Sequence, residues 1–211
     1  MCFPRLKKNL IPIRRTIIIM KKYILILFLF LPVFAFAEDK PRLAIIVSFD
    51  CPNCYEMSGY IDFIDRYLVN NGYENLSLVP IITSEKDKGV RESYFYAADA
   101  LNKRLGRKVS NVLFKLGKER IPINSANDLA DWMEIEYPEE KEKWKRFASK
   151  SAMSFGSIRL SKAILFSIKS GFLTTPSFVK VSNDKIKLLI TNEKDVGAKV
   201  EKVLQIFMED N

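Results

Sequence analysis

The chain contains no histidine and only three cysteines among its 211 residues. A zinc site of the usual cysteine and histidine composition needs four ligands, so here it would have to be shared between two molecules. Acids are missing from the start of the chain. No Asp or Glu precedes Glu38, whereas Arg5, Lys7, Lys8, Arg14, Arg15, Lys21 and Lys22 all do. The formal charge of +9 therefore falls to +2 for residues 38–211, which hold 27 basic and 25 acidic residues. The basic balance belongs to the leader, and nucleic acid is not an expected partner. Internal repeats and low-complexity segments are absent as well.

What the leader does contain is a run of apolar residues, Tyr23 to Phe34, preceded by Lys21-Lys22 and followed by Ala35-Phe36-Ala37. A basic start, a short apolar stretch and a small-x-small end predict a signal peptide beginning at Met20 and cut after Ala37. The alternative is an uncleaved anchor over Thr16 to Ala37. Either way the remainder is expected to be exported, with a periplasmic location. The expected divisions are 1–37 as extension and signal peptide, 38–86 and 171–211 as two halves of one fold, and 87–170 as a helical insertion. Cys2 leaves with the leader, so residues 38–211 keep Cys51 and Cys54 alone.

These two cysteines stand in AIIVSFDCPNCYEM, residues 44–57. A structural disulfide closing so small a loop would remove little entropy from the unfolded chain. Two ordinary buried cysteines fit the two-residue spacing poorly. A redox dithiol fits it best, because the pair follows a strand and opens a helix. Leu43 to Phe49 is a nearly unbroken apolar run, the pattern of a strand buried on both faces. After it, Met57, Tyr60, Ile61, Ile64, Tyr67 and Leu68 recur at helical spacing. Pro52 suits the first helical position, where its missing N–H costs nothing. Cys51 is then placed near the N-cap, where the positive end of the helix favours thiolate, the nucleophilic form. Cys54, one turn inward, is expected to be shielded. Gly59 inside this helix allows a bend or a close approach.

A second strand is predicted at Leu76–Ile82. Helices follow at Val90–Leu105, stopping at Gly106, and at Lys108–Leu116, stopping at Gly117. Ser125-Ala-Asn-Asp128 reads as a capping box for a helix through Ile135. Pro138 opens another, and Ile158–Lys169 ends before Gly171. Two strands at 172–181 and 185–190, joined by a turn at 182–184, precede a helix over Glu193–Met208. Trp132 and Trp144 read as core residues, and KEKWKRFASK, with its neighbouring glutamates, as a solvated helix face. Phe172 and Leu173 read as core or as an apolar rim beside the dithiol.

This order, β-α-β, a helical block, then β-β-α, resembles the thioredoxin-like α/β fold with an inserted all-helical domain found in the DsbA family of periplasmic thiol-disulfide oxidoreductases. FDCPNCYEM resembles that family's Phe-Cys-Pro-His-Cys-Tyr signature. SANDLADWMEIEYPEEKEKWKRFASKSAMSFGSIRL resembles its helical insert in length and spacing, and TTPSFV resembles its cis-proline loop. The resemblance implies Cys51 as attacking thiol, Cys54 as resolving thiol, and Thr175 with cis Pro176 as the place where an extended substrate segment pairs. It implies a redox-active Cys51–Cys54 disulfide in place of any dissociable cofactor or metal. The partners it implies are unfolded or partly folded exported proteins and a membrane redox partner. Asn53 stands where the family has histidine and cannot add positive charge. Asp50 stands where the oxidases carry an apolar aromatic, and a carboxylate there disfavours a neighbouring thiolate. No acid lies within Leu43–Phe49, so the buried glutamate typical of the oxidases is missing. These departures predict a weaker oxidant, with an isomerase or reductase as one alternative. A component of an exported assembly that makes little use of the thiols is the other.

Overall fold

Five of the six residues of β1 (Arg42–Val47) are buried, which is what a continuous apolar run dictates for a strand covered on both faces. The computed structural model describes residues 40–83, 89–140, 150–183 and 185–209. The leader, the stretch 141–149 with Trp144, and Asp184 lie outside them. Strand β1 pairs in parallel with β2 (Ser77–Pro80) and antiparallel with β3 (Ser177–Ser182). Strand β3 in turn pairs antiparallel with β4 (Lys185–Leu189), giving the order β2-β1-β3-β4. The period-2 alternation of β1 divides its side chains between two cores. Leu43, Ile45 and Val47 join a large cluster, and Ala44 and Ile46 join a small one with Ile81 and Val179.

The helices are α1 (Pro52–Ser58), α2 (Ile61–Asn70), α3 (Val90–Leu101), α4 (Lys103–Lys118), α5 (Ala126–Glu136), α6 (Lys150–Ser170) and α7 (Val196–Glu209). A 3-10 turn at Pro138–Glu140 follows α5. Helices α3 to α6 stand between β2 and β3, and residues 40–211 form one compact unit. Among the described residues no helix is long and apolar enough to cross a membrane.

Where sequence and structure differ, the reason is local. The helix expected after Cys54 is two helices, because Gly59 and Tyr60 donate to carbonyls three residues back, a tighter pattern that bends the axis. The apolar stripe nonetheless continues across the bend through Met57, Ile61, Ile64 and Leu68, all buried. Neither Gly106 nor Gly117 stops a helix. The break falls at Asn102, whose Oδ1 accepts from the N–H groups of Arg104 at 2.8 Å and Leu105 at 3.3 Å. Gly106 and Gly117 lie inside α4 because other backbone comes too close for a side chain. A Cβ at Gly106 would stand 2.7 Å from Asp99 Cα, and one at Gly117 only 1.8 Å from the Phe49 carbonyl oxygen. Helix α4 ends instead at Lys118, with Glu119 as its C-cap and Arg120 next in the left-handed conformation at φ 57°. The capping box of α5 is present, with Ser125 and Asp128 each bonding the other's backbone N–H.

Candidate active site

The C-terminal end of β1 runs into a turn in which Ser48 organises several groups. Its carbonyl accepts from Cys51 N–H at 3.2 Å, and its Oγ accepts from Thr83 Oγ1 at 2.8 Å. Phe49 is fully buried against Phe114, edge to face at 4.9 Å. With Phe49 held below and the Gly117 backbone pressed on its carbonyl, the next residues have little freedom. Cys51 is the N-cap of α1 in extended conformation, with Pro52 at the first helical position.

Cys51 is half-buried, and its side chain makes no capping hydrogen bond. Sγ instead donates to the Thr175 carbonyl at 3.3 Å, across 124 residues of sequence. Thr175–Pro176 is a cis peptide bond, and Lys199 Nζ donates to the Pro176 carbonyl at 3.2 Å. Cys51, Cys54, Thr175 and Pro176 are thus brought together. Cys54 is fully buried one turn into α1, and both cysteines are free thiols. Burial, first of all, pushes the Cys54 thiol up to about 12; a hydrogen bond from the Ser48 backbone works against this, and the neighbouring Cys51 adds to it. Asn53 is exposed.

No local pattern points to Asp50's partner. Asp50 Oδ1 forms an ion pair with Arg91 Nη1 from α3, and Arg91 Nη2 donates to the Ile121 carbonyl at 2.7 Å. The guanidinium side chain is 11% exposed and the carboxylate 37%. The Asp50 carboxylate, expected to disfavour a thiolate at Cys51, is thus balanced by a well-buried cation. A buried carboxylate also exists, on α3 rather than on β1. Glu92 is 1% exposed, and after burial itself its charge is the next cause holding the Tyr96 phenol above its ordinary value. Spacing does not reveal Arg91, because α3 reaches Asp50 only through tertiary packing.

Phe172 and Leu173 divide between their two readings. Phe172 packs on the smaller core, whereas Leu173 is 88% exposed, and Ile190 beside it is 72% exposed. They border a shallow pocket of about 150 Å³ that includes Pro176 and Lys199. Trp132 is half-buried against the main core. Among the described residues no group of three or more Cys, Asp or Glu side chains is placed to hold a metal ion.

A four-stranded sheet in this order, with a dithiol at the N-terminus of a helix and a cis-proline loop against it, matches known structures over most of its length. The chain has a DsbA-like thioredoxin fold. It superposes on the DsbA disulfide interchange protein of Klebsiella pneumoniae with a TM-score of 0.56 at 17% identity, covering 82% of this chain and 89% of that one. A chain described as a protein disulfide isomerase from Nitrosomonas europaea gives 0.64 at 11% identity, covering 82% and 100%. Neisseria meningitidis DsbA1 gives 0.59 at 11%, covering 81% and 83%. No family profile matches the sequence, and no curated protein matches it. The similarity to DsbA thus lies in the path of the backbone, and the chemistry must be argued from the residues at the site.

Proposed function

We propose that the protein is an exported thiol-disulfide oxidoreductase that exchanges disulfides with client proteins through its Cys-Pro-Asn-Cys dithiol. The observation that carries this reading is the pairing of a half-buried Cys51 with a fully buried, strongly protonated Cys54, both set against the Thr175–Pro176 loop. That asymmetry suits attack at one sulfur and release at the other. In the oxidised protein a client thiolate attacks Cys51 Sγ. The Cys51–Cys54 bond breaks, and Cys54 leaves with the electron pair and takes a proton, which its environment favours. A second client thiolate then attacks the client sulfur of the mixed disulfide, and Cys51 departs. The client loses two electrons and two protons, and the dithiol gains them.

The backbone at Thr175 would pair with an extended client segment, and Leu173 and Ile190 supply exposed apolar surface for it. No dissociable cofactor or metal enters the cycle, because the dithiol carries the electrons. Clients are unfolded or partly folded exported proteins, and a membrane-bound oxidant would return the dithiol to the disulfide. The leader supports export to the periplasm.

Equilibration of the dithiol with glutathione, read by thiol trapping, tests the proposal. A midpoint near −120 mV gives an oxidase, and one near −180 mV gives an isomerase. No reversible couple would sink the redox reading and leave a binding or assembly component. Cys51→Ser should abolish mixed disulfides with reduced, unfolded client proteins while the melting temperature stays high.

A further inference from the structure

The opposite end of the sheet carries a second cavity, unconnected with the dithiol. Across β1 the face bearing Ala44 and Ile46 belongs to the smaller core, and α6 covers it only in part. At the start of β1 a groove of about 830 Å³ remains between α6 and the sheet. This lies within the ~300–1,000 Å³ typical of small-molecule sites. Its floor is apolar: Ala44, Val79, Val181 and Ile186 from all four strands, with Phe166 and Ala163 from α6. The register explains the alignment, since Arg42 faces Val181, Ala44 faces both Ser77 and Val179, and Val181 faces Ile186.

The rim is cationic, with Arg42, Arg159, Lys162 and Lys169. Asp99 is the one acid lining the groove, and its Oδ2 is already engaged by Lys103 at 2.9 Å and Arg159 at 3.6 Å. Arg42, Lys162 and Lys169 have no ion-pair partner among the described residues, and all three are exposed. Helix α6 holds no acid in its 21 residues. Beyond the two lysines its flank exposes Ile158, Leu165 and Ile168, by 57%, 60% and 66%, in one stripe at helical spacing. Apolar surface thus continues on both sides of the cationic rim. A fully polar ligand would waste the floor, and a neutral hydrocarbon would leave the rim unused.

We propose that this groove binds an anionic amphiphile with an acyl chain. The chain lies on the sheet floor, and a carboxylate or phosphate head is held by Lys162, Lys169 and Arg42. Cys51 is remote, since β1 alone spans about 17 Å from Arg42 to Val47. The inference therefore stands whether or not the redox reading does.

The test uses cis-parinaric acid as the fluorescent probe and oleate as competitor, both below their micellar concentrations. Saturable one-to-one binding is expected, with displacement by oleate and a rise in melting temperature on ligand addition. The double substitution Lys162→Glu/Lys169→Glu should weaken parinarate binding at least tenfold. Both side chains are exposed, so the unliganded melting temperature should hold; if it drops, Lys162→Gln alone should still weaken binding several-fold. Cys51→Ser should bind as the unaltered protein does. Phosphatidylglycerol and phosphatidylcholine vesicles then identify the source. Retention on the anionic vesicles that the charge reversal abolishes assigns the ligand to the bilayer, and parinarate binding without such retention assigns it to free amphiphiles. Absence of saturable binding, or binding indifferent to charge reversal, overturns the proposal. So does binding of an acidic apolar peptide with none of parinarate.

Discussion

The unequal surroundings of the two sulfurs can be tested directly. Cys54 holds its proton to about pH 12 in the folded reduced chain, whereas an unperturbed thiol loses it at 9.0. Between those values the folded state binds more protons than the unfolded one. The stability this contributes is complete below pH 9 and is lost as pH rises towards 12. Urea unfolding of the reduced protein should show a loss of about 1.4 kcal/mol between pH 8 and pH 10 that Cys54→Ala does not show. Iodoacetamide at neutral pH should label Cys51 in the native protein and both cysteines after unfolding. Arg91 is the second residue to test. Arg91→Met removes the ion pair with Asp50 and the bond to Ile121, and should cost about 1–3 kcal/mol. It also leaves a carboxylate beside Cys51 without its counter-charge, which disfavours the reduced, thiolate-bearing form. The midpoint potential should fall, and Asp50→Asn in the same background should restore it. A purely structural role for Arg91 would lower stability and leave the potential unmoved. Cys51, Cys54 and Pro52 were legible because their spacing and their position after a strand carry the chemistry in one short segment. Arg91 was not, since its partner is 41 residues away and its effect depends on how α3 packs.

Among the elements, α4 does most to fix the turn before the dithiol. Glycine in a helix interior is disfavoured by up to about 1 kcal/mol against alanine. Gly117 is there because the Phe49 carbonyl occupies the space a side chain would need. Gly117→Ala should therefore destabilise the protein despite its better helix propensity, by about 1–3 kcal/mol as for other overpacked sites. Thermal unfolding of the variant checks this, and an unchanged or raised melting temperature would show that the turn can move aside. In the sequence both α4 glycines read as stops, because a helix stop and a close backbone approach call for the same residue. Asn102 went unread as a boundary for a related reason: it ends one helix and caps the next with no intervening loop. The capping box at Ser125 and the strand alternation were legible, since each is set by neighbours in sequence.

At the scale of the molecule, one apolar cluster joins β1 and β3 to α1, α3, α4 and α5. A shared core of this kind predicts a single cooperative transition. Both tryptophans lie between β2 and β3, at positions 132 and 144. Their fluorescence should change at the same denaturant concentration as far-UV circular dichroism. Separate midpoints would mean that the helices between the strands unfold on their own. The element order could be read from periodicity and punctuation, and the fold class from the family resemblance that this order carries together with FDCPNCYEM and TTPSFV. The groove at the start of β1 could not, because Arg42, Lys162 and Val181 meet only once the sheet has formed and α6 has come back across it.

The bond between Cys51 and Thr175 sets a timetable for the newborn chain. Cys51 leaves the ribosome 124 residues before the Thr175 carbonyl that roofs it, and the strand that pairs with the long edge of β1 follows later still. Until then the Ile45–Ile46 backbone has an open edge, and the reactive sulfur has no carbonyl above it. The dithiol is thus made early and assembled late, so a truncated chain carries reactive sulfur without the surface that selects what the sulfur meets.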